Sequence, residues 1–264
     1  MNLVMVAHGT RRTDGVAMIG RLAEEVGELV GAIVRVAFVD VLGPTPSELL
    51  SRYAAPSHAC PAIVVPAFLS RGYHVRTDLP AHVAASGHPN VTVTPALGPG
   101  PQITRLLDDQ LVKTGWRPGD SVILAAAGTS DRRARADLRS AATLLAALTG
   151  ARVDLAFAAA GEPDVRTAVA EARRRGAQRV AVASYLLADG LFQGRLHASG
   201  ADLVTRPLGT HPGLARVIAN RFRVFQGTAT HRGSRRHLSK GVVHTTLPVC
   251  HAEAAYACSL EISR

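Results

Sequence analysis

The sequence predicts an α/β protein built as two tandem domains, each a parallel sheet covered by helices, facing one another across a cleft. Three observations carry this. Short β-branched runs alternate with Ala/Leu-rich amphipathic stretches, the pattern of strands joined by helical crossovers. The pattern restarts near residue 121, with similar segments in the same order. The chain has 264 residues, 47% of them apolar, enough for one large or two medium cores.

Taken in order, Leu3–Ala7 is a buried strand bounded by His8-Gly9. Val16, Ile19, Ala23, Val26 and Val30 then recur at helical spacing, with Glu24, Glu25 and Glu28 among the polar positions. Val34–Val39 is the second strand and Gly43-Pro44 stops it. A helix around Ser47–Tyr53 follows, with Ser47 its candidate cap. Ala62–Val65 and Val91–Thr94 are the third and fourth strands, and a helix over Pro101–Lys113 closes the unit. The second unit repeats the first. It has a strand at Ser121–Ala126, a helix through Leu144 and Leu148, and a strand at Val153–Ala158. A helix at Asp164–Arg174 and a strand at Arg179–Ser184 follow.

The copies align segment by segment. Ala7-His8-Gly9-Thr10 matches Ala126-Ala127-Gly128-Thr129, and Val36-Ala37-Phe38 matches Leu155-Ala156-Phe157. Pro66–Leu69 matches Ser184–Leu187, and Pro95–Gly98 matches Arg206–Gly209. The Gly115–Gly119 turn marks the boundary. Residues 1–116 are thus the first domain, 117–226 a degenerate second copy. Residues 227–264, with four of the eleven histidines and little periodicity, are expected to be a basic, flexible tail.

Composition excludes several functions. No apolar stretch approaches the ~20 residues of a membrane span, and no basic residue precedes the short apolar run at the start, so neither a membrane partner nor a signal peptide is expected. Three cysteines, Cys60, Cys250 and Cys258, make neither a disulfide framework nor a standard zinc site. A soluble cytoplasmic protein is the expectation. The net charge is +10, but only Lys113 and Lys240 among thirty basic residues are lysines, so coding bias explains part of it. Arginine forks onto carboxylates and phosphates, which points to an anionic ligand. Aromatics are only 4% of residues, and no helix-turn-helix, RRM or zinc-finger pattern appears, so nucleic acid is not an expected partner. No P-loop motif is present, so neither ATP nor an organic cofactor is expected.

The difference between the copies locates the chemistry. His8 stands where the second copy has Ala127, His74 where it has Phe192, and Asp40 where it has Ala158 or Ala159. All three lie at or just beyond predicted carboxyl ends of strands, the edge where ligands bind in open parallel sheets. Two imidazoles and a carboxylate suit a divalent first-row metal with positions left open, and imidazole also accepts protons near neutrality. Arg11 and Arg12 follow His8, and Arg71 and Arg76 bracket His74. If the loops meet, four guanidiniums ring the site. Gly9 and Gly72 permit tight turns that bring backbone close to a ligand.

Two stretches resemble a known family. Val4–Arg11 resembles the V-A-H-G-S-R opening of the sirohydrochlorin chelatases, the class II, ATP-independent tetrapyrrole chelatases. Val64–Pro80 resembles that family's longer signature, P-x-F-L-x-x-G-x-H-x-x-x-D-[IL]-P. Residues 1–225 resemble its long two-domain bacterial form. The resemblance implies two flavodoxin-like domains with sirohydrochlorin in the cleft, and insertion of Co²⁺ or Fe²⁺ on the way to cobalamin or sirohaem. It implies that His8 and His74 are the catalytic, metal-holding pair. With such an anionic macrocycle as the ligand, Gly9, Thr10, Arg11, Arg12, Arg71, Gly72, Tyr73 and Arg76 are the expected substrate-binding residues. The family's usual glutamate falls on Asp40, one methylene shorter, leaving open a direct ligand, a water-bridged role or a proton relay. The alternatives are a non-catalytic metal or tetrapyrrole carrier and a protoporphyrin ferrochelatase.

Overall fold

The structure is a computed structural model describing residues 1–54 and 60–235. The first half contains β1 (Asn2–Ala7), α1 (Thr13–Val30), β2 (Val34–Phe38), α2 (Pro46–Ser51), β3 (Ala62–Pro66), α3 (Leu79–Ala85), β4 (Val91–Val93) and α4 (Pro101–Thr114). The second contains β5 (Ser121–Gly128), α5 (Arg132–Thr149), β6 (Val153–Ala160), α6 (Val165–Arg174), β7 (Val180–Tyr185), α7 (Leu191–His197), β8 (Leu203–Val204) and α8 (Pro212–Arg235). Two four-stranded sheets result, ordered β2-β1-β3-β4 and β6-β5-β7-β8, and every pairing in them is parallel. The fold class read from the sequence is therefore the one observed.

The repeat is visible in the register. Ala7 pairs with Phe38 in the first sheet and Ala126 with Phe157 in the second. Along the central strands side chains alternate between two cores, as the period-2 geometry of a strand requires. Leu3, Met5 and Ala7, with Val122, Leu124 and Ala126, enter one core that spans both halves. Val4 and Val6 point to the outer core of the first half, Ile123 and Ala125 to that of the second.

The closing helices are exchanged. α4 ends the first half in sequence, yet it packs on β7 and α5 of the second half, while α8 returns to pack on β3 and α1 of the first. Ile103, Leu107 and Leu111 of α4 and Leu214, Ile218 and Phe222 of α8 therefore share one buried core. The sequence order 1–116 and 117–226 does not divide the molecule into two separately packed bodies. Strand-and-helix periodicity cannot reveal which sheet a closing helix covers.

Elements unassigned by periodicity are the short ones and α8. α3 and α7 have 7 residues each, too few for a clear 3.6-residue repeat. α8 runs on to Arg235, into the stretch expected to be a tail. No proline falls between Pro212 and Pro248, and the glycines at 227 and 233 weaken a helix without breaking it. Residues 236–264, with Cys250, His251 and Cys258, lie outside the described residues. The cap of α2 is Thr45 rather than Ser47. Its hydroxyl accepts from the Glu48 amide and the Glu48 carboxylate accepts from the Thr45 amide, a capping box with Pro46 in the first turn. No helix among the described residues is long and apolar enough to cross a membrane.

Candidate active site

β1 ends at Ala7, so His8 emerges at the carboxyl edge of the first sheet. The chain then turns sharply. Gly9 has φ +97°, and a Cβ there would sit 2.2 Å from the Asp40 carbonyl oxygen, so only glycine fits. The Thr10 hydroxyl accepts from the Arg12 amide at 3.2 Å and sets the loop that leads into α1. His74 arrives from the adjacent β3 loop and opens a π-helical turn, His74–Asp78, that leads into α3.

The two imidazoles meet. Their ring centroids are 4.6 Å apart at an interplanar angle of 87°. Phe68 lies roughly parallel to the His74 ring at 6.4 Å, and Tyr73 meets it edge-on at 6.0 Å. Each ring has an oxygen acceptor on the same nitrogen. His74 Nδ1 lies 2.6 Å from Asp78 Oδ2, and His8 Nδ1 lies 3.2 Å from the Gly9 carbonyl oxygen. An ionised carboxylate and a carbonyl only accept, so Nδ1 carries the proton in both neutral rings. Both Nε2 atoms keep their lone pairs, the state needed for a metal ligand or a proton acceptor.

The pair faces a cavity of about 790 Å³ between the halves, within the range of small-molecule sites. One wall is His8, Gly9, Thr10, Arg11, Arg12, Phe68, Gly72, Tyr73 and His74. The other is chemically quieter, with Ala127, Ala159, Ala160, Leu186, Leu191 and Phe192, and it also includes Thr129 and Asp189.

Several predicted residues sit elsewhere or act otherwise. Asp40 is exposed, and its carboxylate accepts from the neighbouring Val41 amide at 2.7 Å. Among the described residues no group of three or more His, Cys, Asp or Glu side chains is placed to hold a metal. The expected His8–His74–Asp40 triple does not form, because Asp40 joins His8 through its backbone amide, not its side chain. The carboxylate behind the pair is Asp78, which the sequence reading left without a role. Its spacing, four residues after His74, was the available signal, since positions i and i+4 share a helical face.

Arg71 and Arg76 are not on the cavity wall. Arg71 makes a forked bond to Asp137 of α5, with Nε 3.0 Å from Oδ2 and Nη2 2.5 Å from Oδ1, and its amide adds a third bond. Arg76 Nη2 donates to Asp131 at 2.9 Å. Both arginines tie the halves together. Burial pushes the Asp137 carboxyl up, but the hydrogen bonds and charge of Arg71 outweigh it and hold it below the ordinary carboxylate value. Gly72 is not required by space, since a Cβ there would meet the Ala134 Cβ at an ordinary 3.7 Å. Of the four expected arginines only Arg11 and Arg12 line the cavity, and neither has a carboxylate partner among the described residues.

Comparison with known proteins gives the family and the fold. A family model described as CbiX matches residues 2–114 and 121–224. A sirohydrochlorin ferrochelatase of Priestia megaterium is 25% identical over 237 residues, covering 83% of this chain and 88% of that protein. A sirohydrochlorin cobaltochelatase of Methanopyrus kandleri is 34% identical over 79 residues, covering 30% of this chain; the match spans only 54% of that relative. Among solved structures, SirB from Bacillus subtilis with Fe³⁺ superposes with TM-score 0.73 at 19% identity, covering 88% of this chain and 98% of that one.

Proposed function

The chain belongs to the CbiX family, and on that premise we propose that it is a sirohydrochlorin chelatase, a lyase that inserts Co²⁺ or Fe²⁺ into sirohydrochlorin for cobalamin or sirohaem synthesis. The observation that carries the reading is the facing imidazole pair, 4.6 Å apart, on one wall of a cavity between two sheets. The divalent ion is a substrate. His8 and His74 offer it two Nε2 lone pairs from one side of the bound ring. The ion exchanges its remaining ligands for four pyrrole nitrogens, and two pyrrole N–H protons leave as it enters. The imidazoles, released from the ion, accept those protons and pass them to water, so charge balances without ATP hydrolysis. Asp78 holds the His74 ring in the tautomer that can do both. Arg11 and Arg12, without carboxylate partners among the described residues, serve the acidic periphery of the macrocycle.

The test is turnover. The metal-free protein is mixed anaerobically with a large excess of sirohydrochlorin and Co²⁺ or Fe²⁺, and the visible spectrum is followed against a no-protein control. Many equivalents of metallated ring per chain, formed faster than the control, are expected. One equivalent or fewer, with no acceleration, identifies a carrier instead.

A further inference from the structure

Matching loops of the two halves carry different chemistry to the cavity. The alignment of Pro66–Leu69 with Ser184–Leu187 sets Gly72-Tyr73-His74 against Gly190-Leu191-Phe192. All six residues line the cavity. Where the first half brings an imidazole, the second brings an alkyl side chain and a phenyl ring. Leu191 is 64% exposed and Phe192 38%, and Tyr73, on the facing wall, is 58% exposed. Single apolar side chains at a surface are ordinary, but a group of them around one concave site marks contact with a ligand.

The helix that carries Leu191 and Phe192 is held from beneath. In α7, Gln193 is buried; its Oε1 accepts from the Ser184 hydroxyl at 2.7 Å and its Nε2 donates to the Thr205 carbonyl oxygen at 2.9 Å. Leu196, one turn on, is buried in the outer core of the second half. Arg195 donates from Nη1 to the Ala158 carbonyl oxygen at 2.9 Å, and its guanidinium carbon lies over the Phe192 ring, 5.9 Å from the ring centre. The inward residues of α7 therefore fix its place, and the first two are left to the cavity.

A tetrapyrrole is acidic at its edge and apolar on its faces. Arg11 and Arg12 suit the edge, and the imidazole pair occupies one face. We propose that Leu191 and Phe192 form an apolar plate that binds the opposite face of the macrocycle, the one turned away from His8 and His74. The plate buries ring surface and offers no lone pair, so the inserted ion has a protein ligand on one side only. The proposal rests on the tetrapyrrole reading above. Both residues position the substrate and take no part in proton or metal transfer.

The test measures Co²⁺ insertion into sirohydrochlorin by the full chain and its Leu191→Ala, Phe192→Ala, Phe192→Tyr and Leu191→Ala/Phe192→Ala variants. Phe192→Ala should raise KM about tenfold and Leu191→Ala about threefold, with more for the double variant and kcat kept within about twofold. Phe192→Tyr keeps the aromatic face and should stay within about twofold of wild type. Because the contact is apolar, the ratio of variant to wild-type KM should be the same at low and high ionic strength. A double variant whose KM stays within about twofold of wild type overturns the plate and leaves the chelatase reading standing. A ratio that collapses at high ionic strength also overturns it, because the lost contact is then one between charges. So does a Phe192→Tyr that loses as much as Phe192→Ala. A wild type that neither binds nor metallates sirohydrochlorin overturns the reading and the plate with it.

Discussion

In the first half a Cβ on Gly9 would strike the Asp40 carbonyl oxygen at 2.2 Å; in the second, one on Gly128 would strike the Ala160 carbonyl oxygen at 2.1 Å. Both glycines have positive φ, +97° and +114°. Thr10 accepts from the amide two residues on, and so does Thr129. The two turns are the same object, yet one presents His8 and the other Ala127, and across from them stand His74 and Phe192. Backbone geometry survives in both copies because steric fit demands it, while the titratable side chains remain in only one. The second half contributes a wall, the clamps Asp131 and Asp137, and α8, which returns to cover the first sheet.

The equivalence of the scaffolds makes the largest prediction. Gly9→Ala and Gly128→Ala each place a Cβ against backbone oxygen at positive φ, and each should cost about 3 kcal/mol. Thermal unfolding should fall by roughly 10 °C for both. A loss in one half only would break the comparison. Next comes the asymmetry behind the imidazoles. Asp78→Ala should weaken Co²⁺ binding and slow metallation about tenfold or more, as outer-shell partners of histidine ligands do. Asp78→Asn should lose less, because its carbonyl still accepts from His74 Nδ1. Equal losses in the two variants would assign the effect to charge instead of ring orientation.

The clamps come third. The Asp137 side chain is 5% exposed and its partner Arg71 62%. Removing Arg71 strands a buried carboxylate, whereas removing Asp137 frees an arginine that water solvates. Arg71→Ala should therefore cost about 2 kcal/mol and Asp137→Ala about 1 after allowing for solvent screening, measured by urea unfolding near pH 7. The pH dependence has a definite sign. The Asp137 carboxyl is held below its ordinary value in the folded protein. Its stabilisation is complete above the unfolded value of about 3.9 and is lost as pH falls through the lower folded one. The Arg71→Ala deficit should shrink over that acid window; a constant deficit would rule out the carboxylate as its source. The smallest effect belongs to Asp40. With its carboxylate spent on the Val41 amide, Asp40→Ala should metallate within about threefold of wild type. A loss of a hundredfold would return Asp40 to the site.

Much of this was legible in the sequence. Alternating strand and helix patterns and the repeat marked seven of the eight strands in chain order, the two-residue β8 excepted, because burial on two faces leaves apolar runs that are easy to read. The histidine pair was legible as a difference between copies. The arginines were not. Arg71 and Arg76 sit in the same motif as His74, and only folding shows that α5 brings carboxylates to them. Asp40 was legible as a residue at the right strand end, but not that its carboxylate accepts from the Val41 amide of its own loop. The exchange of α4 and α8 is likewise a tertiary fact, invisible to local periodicity.

The central claim is that one pair of imidazoles, both in the first half, carries the metal into the ring. Its most direct test is the initial rate of multiple-turnover metallation by His8→Ala and His74→Ala, measured beside wild type and a no-protein control. Both variants should fold as wild type does and fall to the rate of the control. If either metallates at the wild-type rate, the pair is not the site of the chemistry.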